Sequence, residues 1–330
     1  MKIEPILKTL KSLRNLKVLV IGETIIDEYI FCKAMGRPEK AATVSTKFLS
    51  KEQYVGGCLA VANHVSGFVK QVDVITVAGK NPEWKLFINS KINQNVKTLF
   101  FDNNKSPTII KTRFLEDWNK AKLFEVSIID DKPLPPEVEK TIVTFLQYEL
   151  QDYDLVIITD FGHGLFTQNI RDTISKYAKY ICVNAQTNSA NHGFNLITKY
   201  TGVQFISLDE QEIRLPYCSK YGDLLELIHT LSVDTTCNKI NVTLGSNGII
   251  YYQDKKTYQV PVFNSKPVDT VGAGDAVLSI SSLLAYKNTN PEIIPFVGNA
   301  VGYLATQYLG NKESINYKLL SKTLKEVCND

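Results

Sequence analysis

Short runs of aliphatic and β-branched residues alternate along this chain with stretches whose apolar positions recur every three or four residues. Residues 16–23 (LKVLVIGE) have few polar positions and predict a strand buried on both faces. Residues 56–70 open on a glycine pair and continue at helical spacing, 72–79 (VDVITVAG) predict the next strand, and 81–93 a helix. Further strands are expected at 154–160, 180–184 and 203–208, with helical stretches near 135–150 and 167–179 between them. Apolar strands that each lead into a helix imply a parallel sheet covered on both faces, an α/β and doubly wound architecture. At the start of the chain Ile3, Leu7, Leu10 and Leu13 stand at helical spacing, without the continuous apolar run of a secretion signal.

Two segments break this rhythm. Residues 24–55 contain short extended pieces of alternating polarity, and residues 107–127 hold two alternating runs around Asp117-Trp118-Asn119 that read as a hairpin. They are either ordinary surface hairpins or a small β-layer closing over one edge of the main sheet, an arrangement that keeps water from a site. In the second segment Lys111 and Arg113 are two apart on one strand, and Lys120 and Lys122 on the returning one, so each pair shares a face. Four cations facing one way suit a substrate that already carries a phosphate. Lysine and arginine on an open edge also deter sheet-to-sheet aggregation.

Composition narrows the class without naming it. With 44% hydrophobic residues in 330 the chain can bury a large core, which excludes disorder as its main state. Thirty-seven basic against 34 acidic side chains leave a net charge of +3, too little to argue for a nucleic-acid or membrane partner. The six cysteines (Cys32, Cys58, Cys182, Cys218, Cys237, Cys328) form no CxxC pair and no zinc spacing, as expected of free thiols in a reducing cytoplasm.

The densest chemistry lies at 268–276. Gly272 and Gly274 allow a tight turn that bares backbone N–H groups, and the helical pattern from Ala276 to Tyr286 sets those donors at the positive end of a helix dipole. Gly272, Ala273 and Gly274 thus form an anion cradle, with Asp275 beside it, able to take the proton of an attacking hydroxyl while the backbone holds the developing charge. A plain capping aspartate after a glycine turn has the same local pattern. A Rossmann dinucleotide loop is disfavoured because it needs a small residue where Val277 stands and belongs near the first strand.

Asp269-Thr270-Val271-Gly272-Ala273-Gly274-Asp275 resembles the C-terminal signature of the ribokinase-like (PfkB) family of sugar kinases, and the resemblance extends over nearly the whole chain. Gly56-Gly57 resembles the family's N-terminal glycine motif, and Asp27 lies where the family places a sugar-binding aspartate. Asp209-Glu210-Gln211-Glu212 is similar to the Asn-x-x-Glu magnesium motif, and residues 243–248 (TLGSNG) to a nucleotide-side loop. The order of Gly22-x-x-x-x-Asp27, Lys111-x-Arg113, Asp160-Phe161-Gly162-His163-Gly164 and the signature is most similar to the bacterial heptose-7-phosphate kinases. The resemblance implies one ribokinase-like domain over 1–330 with a lid from 24–55 and 107–127, and Mg·ATP-dependent transfer of a phosphoryl group to a sugar hydroxyl. It implies Asp275 as base, Glu212 on Mg²⁺, and Thr243, Gly245, Gly248, Asp269, Thr270, Asp209 and Asn299 on the nucleotide and cofactor side. Asp27, Gly56, Gly57, Lys111, Arg113, His163, Asn184 and Gln186 fall on the substrate side. Relatives also suggest a monovalent cation near the anion hole and pairing of the lid edge with a second copy.

Three departures bear on the substrate. The family's Gly-Gly-Ala-Ala-Asn is here Gly56-Gly57-Cys58-Leu59-Ala60, the heptose kinases' Asp-Pro-Lys is Asn184-Ala185-Gln186, and a lysine has become His163. A sugar pocket altered around an intact base is the expectation. A nucleoside kinase of the same fold, and a binding protein that has lost catalysis, stay open. The triplet Asp160-Phe161-Gly162 spells a protein-kinase motif, but no His-Arg-Asp loop and no Walker A sequence accompany it.

Overall fold

The computed structural model describes residues 2–40, 42–263 and 266–329. Among these, strand β1 (Lys17–Gly22) is followed by β2 (Thr24–Gly36), β3 (Ser45–Gly56), β4 (Gln71–Ala78), β5 (Val96–Asp102), β6 (Ile109–Glu116) and β7 (Lys122–Ile128). The second half carries β8 (Leu155–Asp160), β9 (Ile181–Ala185), β10 (Phe205–Asp209), β11 (Lys239–Thr243), β12 (Ile249–Gln253) and β13 (Lys256–Val260). The helices in chain order are α1 (Ile3–Ser12), α2 (Gly57–Ser66), α3 (Glu83–Lys91), α4 (Pro136–Glu149) and α5 (Gln168–Tyr177). They continue with α6 (Glu210–Arg214), α7 (Leu224–Thr235), α8 (Ala273–Tyr286), α9 (Ile293–Ala305) and α10 (Tyr317–Asn329).

The main sheet runs β13-β12-β11-β10-β9-β8-β1-β4-β5, parallel except where β12 pairs antiparallel with β11 and β13. Its strands are apolar on both sides because helices cover both. In β1, Val18 and Val20 enter the core shared with α1, α2, α8, α9 and α10, while Leu19 and Ile21 enter the core shared with α4, α5 and α7. One four-residue apolar run therefore serves two layers, as period-two alternation requires. The expected N-terminal helix forms as α1, burying Ile6, Leu10 and Leu13. No helix among the described residues is long and apolar enough to cross a membrane.

A second, smaller sheet runs β3-β2-β6-β7. Where the sequence suggested short extended pieces at 24–55, the chain builds strands of 13 and 12 residues. The register slips between Phe31 and Cys32 and between Ala34 and Gly36, and these bulges erase the alternation that would have marked one long strand. The two interrupting segments do pair with each other, β2 lying parallel to β6. Only Glu23 separates β1 from β2, so the main sheet passes almost directly into the smaller one. Strand β7 is exposed throughout, and Phe124 stacks on Phe114 with centroids 4.4 Å apart.

Candidate active site

Helix α8 starts at Ala273 because Gly272, at φ +81°, turns the chain in a left-handed conformation that a side chain would strain. A Cβ at Gly272 would also stand 2.3 Å from Asn311 Oδ1, whereas one at Gly274 would meet nothing within 4 Å. The Ala273 N–H donates to Thr270 O and the Ala276 N–H to Gly272 O; among the described residues those of Gly274 and Asp275 have no backbone partner. Two N–H donors without backbone partners in the first turn of a helix suit an anion. Asp275 is buried beside them, and burial, reinforced by the charge of Asp27 and opposed by Lys111, pushes its carboxyl up to about 7.

Strands β2 and β6 bring the second group. Their register sets Asp27 opposite Lys111 and Tyr29 opposite Arg113, with both cations nearly buried. Arg113 Nη1 lies 2.6 Å from Asp27 Oδ1, and Arg113 Nε lies 2.9 Å from Glu125 Oε2. Asn311 Nδ2 donates to Asp27 Oδ2 at 3.3 Å. Gly56 lies against this carboxylate, where a Cβ would come within 2.2 Å of Asp27 Oδ2. Gly57, with φ +55°, begins α2 beside Ile25. Lys111 alone has no ion pair or hydrogen bond among the described residues. Burial lowers its pKa, while Asp27, Glu125 and Asp275 counter that effect.

The expected face of four cations is not built. Lys120 does not stand on the returning strand: it lies in the turn at φ +57° and pairs with Asp117. Lys122 reaches Asp269 at 2.7 Å, and Arg113 is neutralised by Asp27 and Glu125. The sequence spacing was right for Lys111 and Arg113, but it could not tell which carboxylates the fold would set against them.

The turn after β8 forms the floor beside Lys111. The Phe161 and His163 N–H groups donate to the two oxygens of Glu23, at 3.1 and 3.2 Å. Burial, with Asp160 near, raises the Glu23 carboxyl to about 8. Asp160 accepts from Gly162 N, Tyr200 Oη and Asn195 Nδ2, and pairs with Lys199, so the would-be metal triplet is structural. His163 is buried, with Nδ1 2.6 Å from Asp131 Oδ1.

Asp209, Glu212 and Thr243 gather at the ends of β10 and β11, joined by Asn184 from β9, which the resemblance had set on the substrate side. Asp209 caps α6, accepting from Glu212 N at 2.8 Å, while the Asp209 N–H donates to Glu212 Oε2 at 2.9 Å. Thr187 N–H and Asn184 Nδ2 also donate to Glu212, and Asn184 Nδ2 further holds Ser207 O. Burial, with Asp209 adjacent, raises Glu212 to about 8, and Asp209 is raised as well, by burial first. Two neighbouring acids with no cation set against them among the described residues fit a divalent metal: each keeps a free lone pair, and Mg²⁺ needs only one or two carboxylates beside its waters. Among the described residues no group of three or more ligating side chains exists for a fuller cage.

Gln186 contributes backbone here, its N–H going to Asp160 O. Thr243 Oγ1 approaches Leu208 O at 3.4 Å, and the 243–248 loop closes through Leu244 N–H to Gly248 O and Gly248 N–H to Gly245 O. Two residues of this set are held by protein partners. Asn299 is buried, and its Nδ2 ties α9 to Val260 O. Asp269 is filled by protein donors, with Lys122 and Val271 N on Oδ1 and Tyr29 Oη and Gly310 N on Oδ2. Burial works against its charge, but Lys122 and these donors hold its pKa below the usual carboxylate range. Thr270 is exposed, and its carbonyl accepts from Ala273.

Four site residues escaped the sequence reading: Glu23, Glu125, Asp131 and Asn311. Glu23 had a usable signal, an acid at the end of an otherwise apolar strand. Asn311 had none, since it meets Asp27 across 284 positions.

In sequence, the chain is 25% identical over 275 residues to the bifunctional protein HldE of Helicobacter hepaticus, covering 81% of this chain and 55% of that one. It is 26% identical over 293 residues to HldE of Aliarcobacter butzleri, covering 86% and 60%. It thus spans less than two thirds of these curated relatives. In structure, phosphofructokinase-2 from Escherichia coli in complex with fructose-6-phosphate superposes with TM-score 0.73 at 13% identity, covering 96% of this chain and 99% of that one. Ribokinase from Thermotoga maritima gives 0.69 at 16%, covering 94% and 99%. The model of the pfkB family carbohydrate kinases matches residues 15–317, and the chain belongs to that family.

Proposed function

We propose that this sugar kinase transfers the γ-phosphoryl group of ATP to a hydroxyl of a heptose-class sugar, with Asp275 as general base. The observation that carries this reading is Asp275 itself, buried in the first turn of α8, raised to about 7, and flanked by the bare N–H groups of Gly274 and Asp275. A base tuned near neutrality takes a hydroxyl proton most effectively at neutral pH. As the acceptor oxygen bonds to the γ-phosphorus, the bond to the bridging oxygen breaks and ADP leaves with its electron pair. The acceptor proton passes to Asp275, and the two N–H donors hold the charge gathering on the transferred group. Glu212 and Asp209 would hold Mg²⁺, which when bound neutralises phosphate charge. The 243–248 loop lines the nucleotide side.

Motif order and the HldE relatives support a heptose phosphate as acceptor. A second reading, an unphosphorylated heptose, is favoured by the loss of the cation cluster, which leaves Lys111 as its one unpaired member among the described residues. The smaller sheet acts as a lid over the acceptor, and the exposed apolar residues Leu123, Phe124, Val126 and Ile128 of β7 favour contact with a second copy, checked by sedimentation. Free cysteines fit a reducing cytoplasm.

The test is ADP release with Mg·ATP across free sugars, heptose 7-phosphates, other sugar phosphates and nucleosides, on wild type and Asp275→Asn. Turnover on sugars that falls about 10²–10⁴-fold in the variant is expected. ATP binding with no turnover on any acceptor would instead mark a binding protein.

A further inference from the structure

The loop after α9 crosses between the smaller sheet and the signature, and three consecutive residues hold it there. The Gly310 N–H donates to Asp269 Oδ2 at 3.1 Å, and a Cβ at Gly310 would stand 2.4 Å from Tyr29 Oη. At the solvent edge Lys312 Nζ lies 3.6 Å from a Glu52 oxygen of β3. Between them the carboxamide of Asn311 lies over Gly272. A Cβ at 272 would stand 2.3 Å from its Oδ1, 3.1 Å from its Cγ and 3.3 Å from its Nδ2. The missing side chain of Gly272 thus has a use besides the left-handed turn: it makes room for Asn311.

What Asn311 does there follows from the carboxylate it touches. Its Nδ2 donates to Asp27 Oδ2 at 3.3 Å, while Arg113 Nη1 holds Asp27 Oδ1 at 2.6 Å. The two partners are unequal. A guanidinium binds a carboxylate best through two parallel N–H···O bonds, so Arg113 alone would draw both oxygens towards itself. Asn311 is the neutral donor on the other oxygen that opposes this turn, and Gly56 lies against the same oxygen, where a Cβ would stand 2.2 Å away. A carboxylate oxygen accepts up to two hydrogen bonds, and Asn311 is the one partner of Oδ2 among the described residues. Asn311 is itself half-buried, so this corner reaches solvent.

We propose that Asn311 is a positioning residue: its N–H holds Asp27 Oδ2 turned away from Arg113, with one lone pair left to accept from a hydroxyl of the acceptor. The inference rests on the sugar-kinase reading, in which Asp27 stands on the acceptor side. On this account the donor matters and the bulk does not. A side chain that fills the same space over Gly272 but cannot donate leaves Asp27 to Arg113.

The test uses wild type, Asn311→Leu and Asn311→Asp, each checked for a native melting transition. The probes are D-mannose, D-ribose, sedoheptulose 7-phosphate and D-fructose 6-phosphate, with Mg·ATP; binding is read by calorimetry and turnover by ADP release. Asn311→Leu, close in size but without a donor, should weaken binding of the sugar and raise its KM about tenfold, the worth of one hydrogen bond. KM for ATP should stay within about twofold and kcat within about threefold. Asn311→Asp has the same shape as the native residue but sets a second anion against Asp27, and should raise the sugar KM about a hundredfold. A role confined to packing over Gly272 predicts the reverse order, with the isosteric Asp variant the milder of the two. Sugar binding that weakens in this order with no ADP release from wild type would sustain the positioning role while sinking the kinase reading. A wild-type sugar Kd in Asn311→Asp, a KM for ATP that rises in step with that for the sugar, or no binding by any sugar probe would overturn the proposal.

Discussion

Lys122 Nζ lies 2.7 Å from Asp269 Oδ1, which ties the hairpin of the smaller sheet to the residue that opens the signature around Asp275. The carboxylate end is 2% exposed and the ammonium end 42%, so the pair is anchored on one side and solvated on the other.

Breaking this tie should loosen the hairpin more than it destabilises the protein. Asp269 keeps Tyr29, Val271 and Gly310 as donors when Lys122 is lost. Lys122→Met is expected to cost about 1–2 kcal/mol, a value held down by the exposure of the lysine. Amide exchange over β6 and β7 should rise about tenfold, read by hydrogen–deuterium exchange with mass spectrometry.

The base should set the acid limb of the pH profile. Because the Asp275 carboxyl is raised to about 7, kcat/KM should climb about tenfold per unit below that pH and level off above it. Lys111 favours the ionised form, so Lys111→Met should move the inflection to higher pH, measured by steady-state kinetics from pH 5 to 9.

The same shift has a stability consequence of definite sign. The folded chain retains a proton on Asp275 that the unfolded chain releases near the ordinary 3.8, so folding stability falls as pH rises from about 4 through about 7. Asp275→Asn stays neutral throughout. It should be about 1–3 kcal/mol more stable than wild type at pH 8, with the gap closing towards pH 4 in denaturant titrations. A gap independent of pH would contradict the assignment of the raised pKa.

Gly56→Ala should damage the acceptor side selectively. The backbone there, at φ −117°, accepts alanine, but the new Cβ would stand 2.2 Å from Asp27 Oδ2. Asp27 must then move, losing Asn311 and disturbing Arg113. We expect KM for the sugar to rise at least tenfold with KM for ATP within about twofold.

The central strands were legible because an apolar run such as Val18–Ile21 has no other stable place than between two layers of helices. The long strands β2 and β3 were not, since their bulges interrupt the alternation that sequence reading relies on. In the site, Asp275 and its glycines were legible because cradle and base lie within four consecutive positions. The partners of Asp269 were not legible, since Lys122 and Tyr29 lie 147 and 240 positions away. His163 could be singled out, but its tautomer depends on Asp131, which no local pattern connects to it.

The single residue between β1 and β2 makes Glu23 a fulcrum. From there β2 runs 13 residues, an arm of about 40 Å at about 3.3 Å per residue. A rotation of about 10° at Glu23 would sweep the far end through about 7 Å while moving Asp27, four residues out, by only about 2 Å. On the proposed lid reading, such a lever would let the outer edge swing clear for a sugar while leaving Asp27 almost in place beside the buried Asp275. The outer edge and the catalytic group can thus be tuned independently, the first by what it touches, the second by what surrounds it.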